Sequence, residues 1–234
     1  MSPSEPEPHG PRYGWAARAS AQPLTERTTV FKRLIPFLAT AALTVAVSAP
    51  VRAADAPADA LVRQISVEVI DTAKADKAIQ AGDLSRISTL VDSKVMPHVA
   101  FDVVTRSAVG PKWREATPEQ RSKLQAEFKT LLVRVYAGAL AQLKDQTVEV
   151  TKTVPVPGGN QVVVQTEVRG KGEPIKLDYR LDKPADAWKI IDVNVGGLWL
   201  VQNYRTQFAQ ELAKGGIDGL IATLTERNKA AGKG

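Results

Sequence analysis

The 234-residue chain contains no cysteine. That excludes a disulfide framework, a Cys-based zinc site and a thiol nucleophile. Histidine is nearly as scarce: one of the two, His9, lies close to the N-terminus, which leaves His98 for the rest of the chain. A single histidine beside Met96-Pro97, at the end of a helical pattern, reads as a structural hydrogen-bonder rather than as a base or ligand. No GxSxG elbow, phosphate-binding glycine loop, GxGxxG or HExxH occurs. A chain without a nucleotide site cannot itself drive directional movement of a ligand. Acidic pairs such as Asp182 and Asp186 fall in a turn, where solvated charge is the ordinary reading.

Strong charge of one sign is missing as well. The whole chain carries a formal +6, but residues 1–53 hold 6 of the 31 basic and 3 of the 25 acidic side chains, so 25 face 22 over the remaining 181 residues. A net +3 spread among acids gives no nucleic-acid footprint. With 44% hydrophobic and 24% charged residues the composition is that of a globular domain, and one domain is favoured over two. No internal repeat is present.

Phe31-Lys32-Arg33, the apolar run LIPFLATAALTVAVSA and Val51-Arg52-Ala53 have the charged, apolar and small-residue order of a secretory signal peptide. The run is shorter than the roughly 20 residues that span a bilayer, and a cleavage signal follows it, so cleavage after Ala53 is expected rather than a retained anchor. No cysteine follows that could take a lipid anchor. Residues 1–29 are rich in Pro, Ser and charge and fit no leader, which suggests a true start at or near Val30. The expected organisation is an extension over 1–29, a signal over 30–53 and one domain over 54–234.

That domain opens with helices. Leu61, Ile65, Val69 and Ala73 stand four apart and predict a helix over about Pro57 to Lys77. Asp83 is a candidate N-cap for a second helix carrying Leu84, Ile87, Leu90 and Val91 and ending near Met96-Pro97. A short helix from Phe101 should stop at Gly110. Thr117-Pro118-Glu119-Gln120 then offers an N-cap hydroxyl, a proline at the first helical position and a capping-box partner. From there Leu124, Phe128, Leu131, Leu132, Val135, Tyr136, Ala139, Leu140 and Leu143 predict one helix of about 39 Å. So broad an apolar face should cover something large, and the strands that follow are the expected partner.

Four alternating runs come next: Thr147 to Val156, Gln161 to Arg169, Pro174 to Leu181 and one starting at Trp188, with turns short enough to require an antiparallel meander. In the third, Ile175, Leu177, Tyr179 and Leu181 alternate with Lys176, Asp178, Arg180 and Asp182, predicting one buried and one wet face. The fourth is different. Trp188 and Ile190 have one parity and Ile191, Val193 and Val195 the other, which predicts a strand apolar on both faces. Gly196-Gly197 permits a sharp exit into a helix carrying Leu198, Leu200, Val201, Tyr204 and Phe208, and a last helix holds Leu220, Ile221 and Leu224. Helices, then sheet, then helices define an α+β class. Periodicity alone equates these apolar faces with a packed core.

Lys94-Val95-Met96-Pro97-His98-Val99 with Phe101, Val109-Gly110 through Trp113-Arg114-Glu115-Ala116-Thr117 to Gln120-Arg121, Trp188 through Asp192 and Gly197 to Asn203-Tyr204-Arg205 and Phe208, and Gly216-Ile217-Asp218-Gly219-Leu220 occur in that order. Together they resemble the MlaC family of periplasmic phospholipid shuttles, also called toluene-tolerance proteins, over nearly the whole domain. Leu198-Trp199 departs from the family's usual aliphatic residue and serine, which bears on the shape of the pocket mouth. The resemblance implies helices packed on a curved antiparallel sheet, four-stranded or slightly larger, that enclose an apolar pocket. It implies a monomeric carrier with no cofactor, whose ligand is a phospholipid and whose partners are an outer-membrane lipoprotein-porin complex and an inner-membrane ABC transporter complex. The lining it implies is Val104, Phe128, Leu132, Tyr136, Leu177, Tyr179, Ile191, Val193, Leu198, Trp199, Val201 and Tyr204. A reading from another class is a cone-shaped α+β enzyme in which Tyr136 or Tyr179 and Asp192 act on a small hydrophobic substrate.

Overall fold

A computed structural model describes residues 57–230. The signal-peptide, cleavage and start-site expectations lie outside the described residues. Six α-helices and five strands follow in the order α1 (Ala58–Ala75), α2 (Lys77–Gln80), α3 (Leu84–Leu90), α4 (Phe101–Val109), α5 (Pro118–Ala141), β1 (Thr147–Pro155), β2 (Val162–Arg169), β3 (Ile175–Asp182), β4 (Lys189–Val195), β5 (Leu198–Trp199) and α6 (Leu200–Ala230).

Local chemistry accounts for most of these boundaries. The first helical pattern divides at Asp76, whose carboxylate accepts from the Ala78 and Ile79 amides at 2.9 and 3.3 Å and starts α2. Asp83 caps α3 through Ser85 and Arg86. α4 ends at Gly110, where φ is 74°, beyond the reach of most side chains. At the start of α5, Thr117 Oγ1 accepts from the Gln120 amide at 3.2 Å, and the Gln120 side chain accepts from the Thr117 amide at 3.0 Å.

α5 does not lie on the sheet. It packs against α3, α4 and α6, and its buried positions are Leu124, Phe128, Val133 and Ala137. Val135 and Ala139, expected to face inward, are exposed. The change of face midway along the helix reflects two neighbours: α4 and α6 bury its first half, α3 its second. α6 breaks at Gly216 (φ 61°, ψ −157°) and folds back on itself. Thr223 donates to Glu211 at 3.2 Å and Arg227 to Gln207 at 3.5 Å across this hairpin. Its second arm runs along α5, held by Gln120 to Asp218 at 2.8 Å and by Asn228 to Glu127.

The strands form one open antiparallel sheet in the order β1-β2-β3-β4-β5. Continuous pairing of β2 with β3 puts Val162, Val164, Thr166 and Val168 opposite Leu181, Tyr179, Leu177 and Ile175 on one face. α1 covers part of that face, with Ala58, Val62 and Ile65 against Val164, Leu181 and Ile190. α4 and the start of α6 approach β4. Between them no helix packs along β3 over more than a residue or two.

Candidate functional site

The register of β4 corrects the reading of a strand apolar on both faces. Val195 pairs with Leu177 and Val193 with Tyr179, but after a β-bulge Ile190 pairs with Leu181. Opposed residues share a face, so one extra residue brings Ile190, Val193 and Val195 onto the same apolar side although their parity differs. Asp192, opposite Arg180, and Asn194, opposite Asp178, take the other side. Apolar residues at both parities are what a bulged one-sided strand requires.

The apolar face therefore runs on beyond α1. Val164, Leu181 and Ile190 are fully packed beneath that helix, and Tyr179 and Val193 pack at its margin. Past them, Leu177 and Val195 are half-buried, while Ile175 and Leu198 are 57% and 51% exposed. None of these four belongs to a cluster packed by helices. Val195 pairs with Leu198 and Val168 with Ile175, so the uncovered stretch is continuous across β2, β3, β4 and β5 at one end of the sheet.

The twelve residues implied by resemblance fall into separate groups. Val104, Phe128 and Tyr204 are buried in the helical core, with Leu132 and Val201 packed against it. Phe128 is the hub there, with ring centroids 5.8 Å from Phe101, 4.9 Å from Tyr204 and 5.1 Å from Phe208. Tyr136 on α5 is half-buried. Tyr179 and Val193 lie on the sheet beside α1, Leu177 lies on its uncovered part, and Ile191 is half-buried next to the bulge. Leu198 belongs to β5 and not to the helix that follows. Trp199, its neighbour in that strand, takes the opposite face, where the Arg180 guanidinium lies 4.6 Å from its ring centroid. Val195, Ile175 and Val168 complete the uncovered stretch and were missing from the expected lining. Alternation already put Ile175 with Leu177 and Val195 with Val193; that they lie side by side comes from the pairing register.

Two surface depressions, of ≈ 490 Å³ between the α2–α3 turn and the end of α5 and of ≈ 350 Å³ between the end of α4 and α6, contain none of the twelve.

Polar groups near the face are neutral or tied down. Burial pushes the Tyr179 phenol up to about 12, against a hydrogen bond to Ser66 of α1 that lowers it. Burial also raises Tyr136, and it raises Tyr204, with Tyr136 a smaller contributor. The Thr166 hydroxyl donates to the Leu177 carbonyl. Asp192, raised by burial, has partners that the sequence did not disclose: one carboxylate oxygen accepts from the Val193 amide at 2.9 Å and from the Val201 amide at 3.0 Å. It faces away from Tyr179, so of the two phenols named in the enzymatic reading this one does not converge with the acid.

Helices over part of an open antiparallel sheet, with a stretch of its apolar face left uncovered, define an α+β domain built to leave apolar surface accessible. The chain belongs to the MlaC protein family, whose model matches residues 63–226. It is similar to the toluene tolerance protein ttg2D of Pseudomonas putida, at 26% identity over 76% of this chain and 86% of that one. Similarity extends to the intermembrane phospholipid transport system binding protein MlaC of Haemophilus influenzae, at 22% identity over 71% and 79%. Among solved structures, a phospholipid-binding protein from Ralstonia solanacearum in complex with a phospholipid matches at 41% identity and a TM-score of 0.73, over 76% of this chain and 99% of that one.

Proposed function

We propose that this protein is a phospholipid carrier of the periplasm. The observation that carries the reading is the apolar stretch Leu177, Val195, Ile175 and Leu198, continuous with the sheet core yet covered by none of the described helices. Four such aliphatic side chains side by side mark a ligand or partner surface more than chance exposure. The 41% identical relative holds a phospholipid, which supports a phospholipid as the occupant. Each methylene taken out of water contributes about 0.8 kcal/mol, so chain burial alone would hold the lipid.

On this reading Tyr179, Leu177 and Val193 border the chains from the sheet, with Ile191 and Leu198 at its edge, and Leu132 and Tyr136 border them from α5. Val104, Phe128, Val201 and Tyr204 back that wall, and Trp199 steadies the rim. The signal-like segment over 30–53 supports export and cleavage after Ala53. The name of the Haemophilus relative, an intermembrane phospholipid transport system binding protein, supports movement of lipid between membranes; on this reading a monomer shuttles between an outer-membrane lipoprotein-porin complex and an inner-membrane ABC transporter complex. This chain would supply binding and no catalysis, and the energy for direction would come from the transporter.

The test is extraction of the purified exported protein under denaturing conditions, followed by mass spectrometry. Stoichiometric two-chain phospholipid is the expected result. A protein that comes out empty, and stays empty after incubation with phospholipid vesicles, would overturn the reading.

A further inference from the structure

We propose that Asp192 is a positioning residue of the lipid mouth, holding β5 and the first turn of α6 in place and so governing how fast a bound lipid leaves; this rests on the carrier reading above. The sequence at this corner, Gly196-Gly197-Leu198-Trp199-Leu200-Val201, has no Ser, Thr, Asp or Asn to cap the helix that begins at Leu200. Such a helix start leaves amides without partners. Asp192 supplies the missing acceptor from nine residues back, on the neighbouring strand, through its 3.0 Å bond from the Val201 amide. The same oxygen accepts from the Val193 amide at 2.9 Å, which fixes the carboxylate beside the bulge.

Asn194 does the companion task, its side-chain oxygen accepting from the Gly197 amide at 2.8 Å. The two side chains, only 8% and 7% exposed, thus clasp both ends of a segment whose other backbone ties are the Gly196 amide's bond to the Lys176 carbonyl at 3.0 Å and the two residue pairs between β4 and β5. Gly196 and Gly197 have φ of 59° and 94°, and a Cβ built at either would meet nothing within 4 Å, so packing does not hold this turn. β5 is two residues long. Arg180, stacked on Trp199, stands across from Asp192 in the ladder and adds an attractive charge.

What the clasp positions is Leu198, at the rim of the uncovered apolar face, and then Leu200 and Val201, which pack on the helical core. If the clasp is lost, this corner can swing on its two glycines and open the rim without unfolding the domain. Asp192 touches no lipid in this scheme. It acts through the segment it holds.

The experiment loads the full exported protein with a fluorescent two-chain phospholipid and follows its release to acceptor vesicles. Asp192→Ala, which removes the acceptor, should speed release about tenfold, in keeping with the loss of a helix cap. Asp192→Asn, which keeps an oxygen in the same place, should stay within about twofold of the native rate. Asn194→Ala provides an independent variant should Asp192→Ala fail to fold, and should also speed release. Ile87→Ala, in the α3 cluster remote from this corner, controls for stability: it should lower the melting temperature and leave the release rate unchanged. Native release rates for folded Asp192→Ala or for Asn194→Ala, or acceleration by Ile87→Ala equal to theirs, would overturn the proposal. A native protein that takes up no lipid would instead overturn the carrier reading beneath it.

Discussion

Tyr179 on β3 stands against Ser66 of α1 at the margin where α1 ceases to cover the sheet, and the serine hydroxyl offsets part of the rise that burial gives the phenol. Ser66 is buried and Tyr179 half-buried, so removal of either hydroxyl leaves the other with one polar neighbour fewer. Tyr179→Phe should cost about 1 kcal/mol of stability in denaturant unfolding. Ser66→Ala should cost at least as much, because it takes the neighbouring hydroxyl from the phenol, whereas Tyr179→Phe leaves a helical serine that can return its hydroxyl to a backbone carbonyl.

The same phenol sets an alkaline limit. Its folded value is about 12 against an ordinary 10, so the fold favours the neutral form. The associated stability is complete below pH 10 and is lost as pH rises through about 12. The native protein should therefore weaken over that window, followed by circular dichroism alongside phenolate absorbance. Tyr179→Phe should weaken less there, and an identical alkaline profile for the two proteins would count against this role.

Phe128 lies at the centre of four rings and is 1% exposed. Phe128→Ala should cost about 3–5 kcal/mol in chemical denaturation, the range for an aromatic removed from a packed core. Phe128→Leu should cost much less, because it retains most of the volume.

Gly215 and Gly216 look alike in the sequence and differ in the structure. Gly216 has φ 61° and ψ −157°, a region almost restricted to glycine, and makes the reversal of α6; Gly215 has no positive φ and open space where a Cβ would go. Gly216→Ala should destabilise by about 1–3 kcal/mol. Gly215→Ala should be neutral or slightly stabilising. Thermal melting of the pair checks both.

How far the sequence discloses the fold depends on whether a feature is local. The capping box at Thr117 and Gln120, the Asp83 cap, the stop at Gly110 and the meander with its short turns are set by neighbouring residues, and each is where the sequence puts it. The direction of α5 toward other helices, the hairpin at Gly216 and the bulge beside Ile191 depend on partners distant along the chain. The site was legible in the same measure. Periodicity put Leu177 with Tyr179 and Val193 with Val195, but the union of Ile190 with that face and the acceptor role of Asp192 depend on the pairing of β4 with β3 and on a helix nine residues away. Ile175 was given as buried and is exposed, because alternation fixes which face a side chain takes but not whether anything covers it.

If the uncovered face receives acyl chains, charge placed on it should act on binding before it acts on folding. Leu177 is half-buried outside every helix-packed cluster, whereas Val164 on the adjacent strand is 0% exposed beneath α1. Leu177→Asp should give a folded protein that co-purifies with little or no lipid. Val164→Asp should fail to fold, since it buries an unpaired carboxylate. A folded Leu177→Asp protein with its full complement of lipid would exclude this stretch as the binding surface.

Headgroup chemistry should matter little beside chain length. A sixteen-carbon chain offers on the order of 12 kcal/mol when buried, against roughly 1 kcal/mol for each hydrogen bond to an exposed headgroup. Near the uncovered end, Arg169 is paired with Glu149 at 2.7 Å and with Glu167 at 2.8 Å, and Arg180, stacked on Trp199, lies on the opposite face of the sheet. At the helix start beside this region, that of α6, the Val201 amide is already taken by Asp192. Phosphatidylethanolamine and phosphatidylglycerol with identical tails should therefore bind within about tenfold of each other, or about 1.4 kcal/mol. A lysolipid that lacks one tail should bind far more weakly. Competition against a fluorescent phospholipid decides it: strong discrimination between headgroups, with indifference to the second tail, would move recognition away from the apolar face.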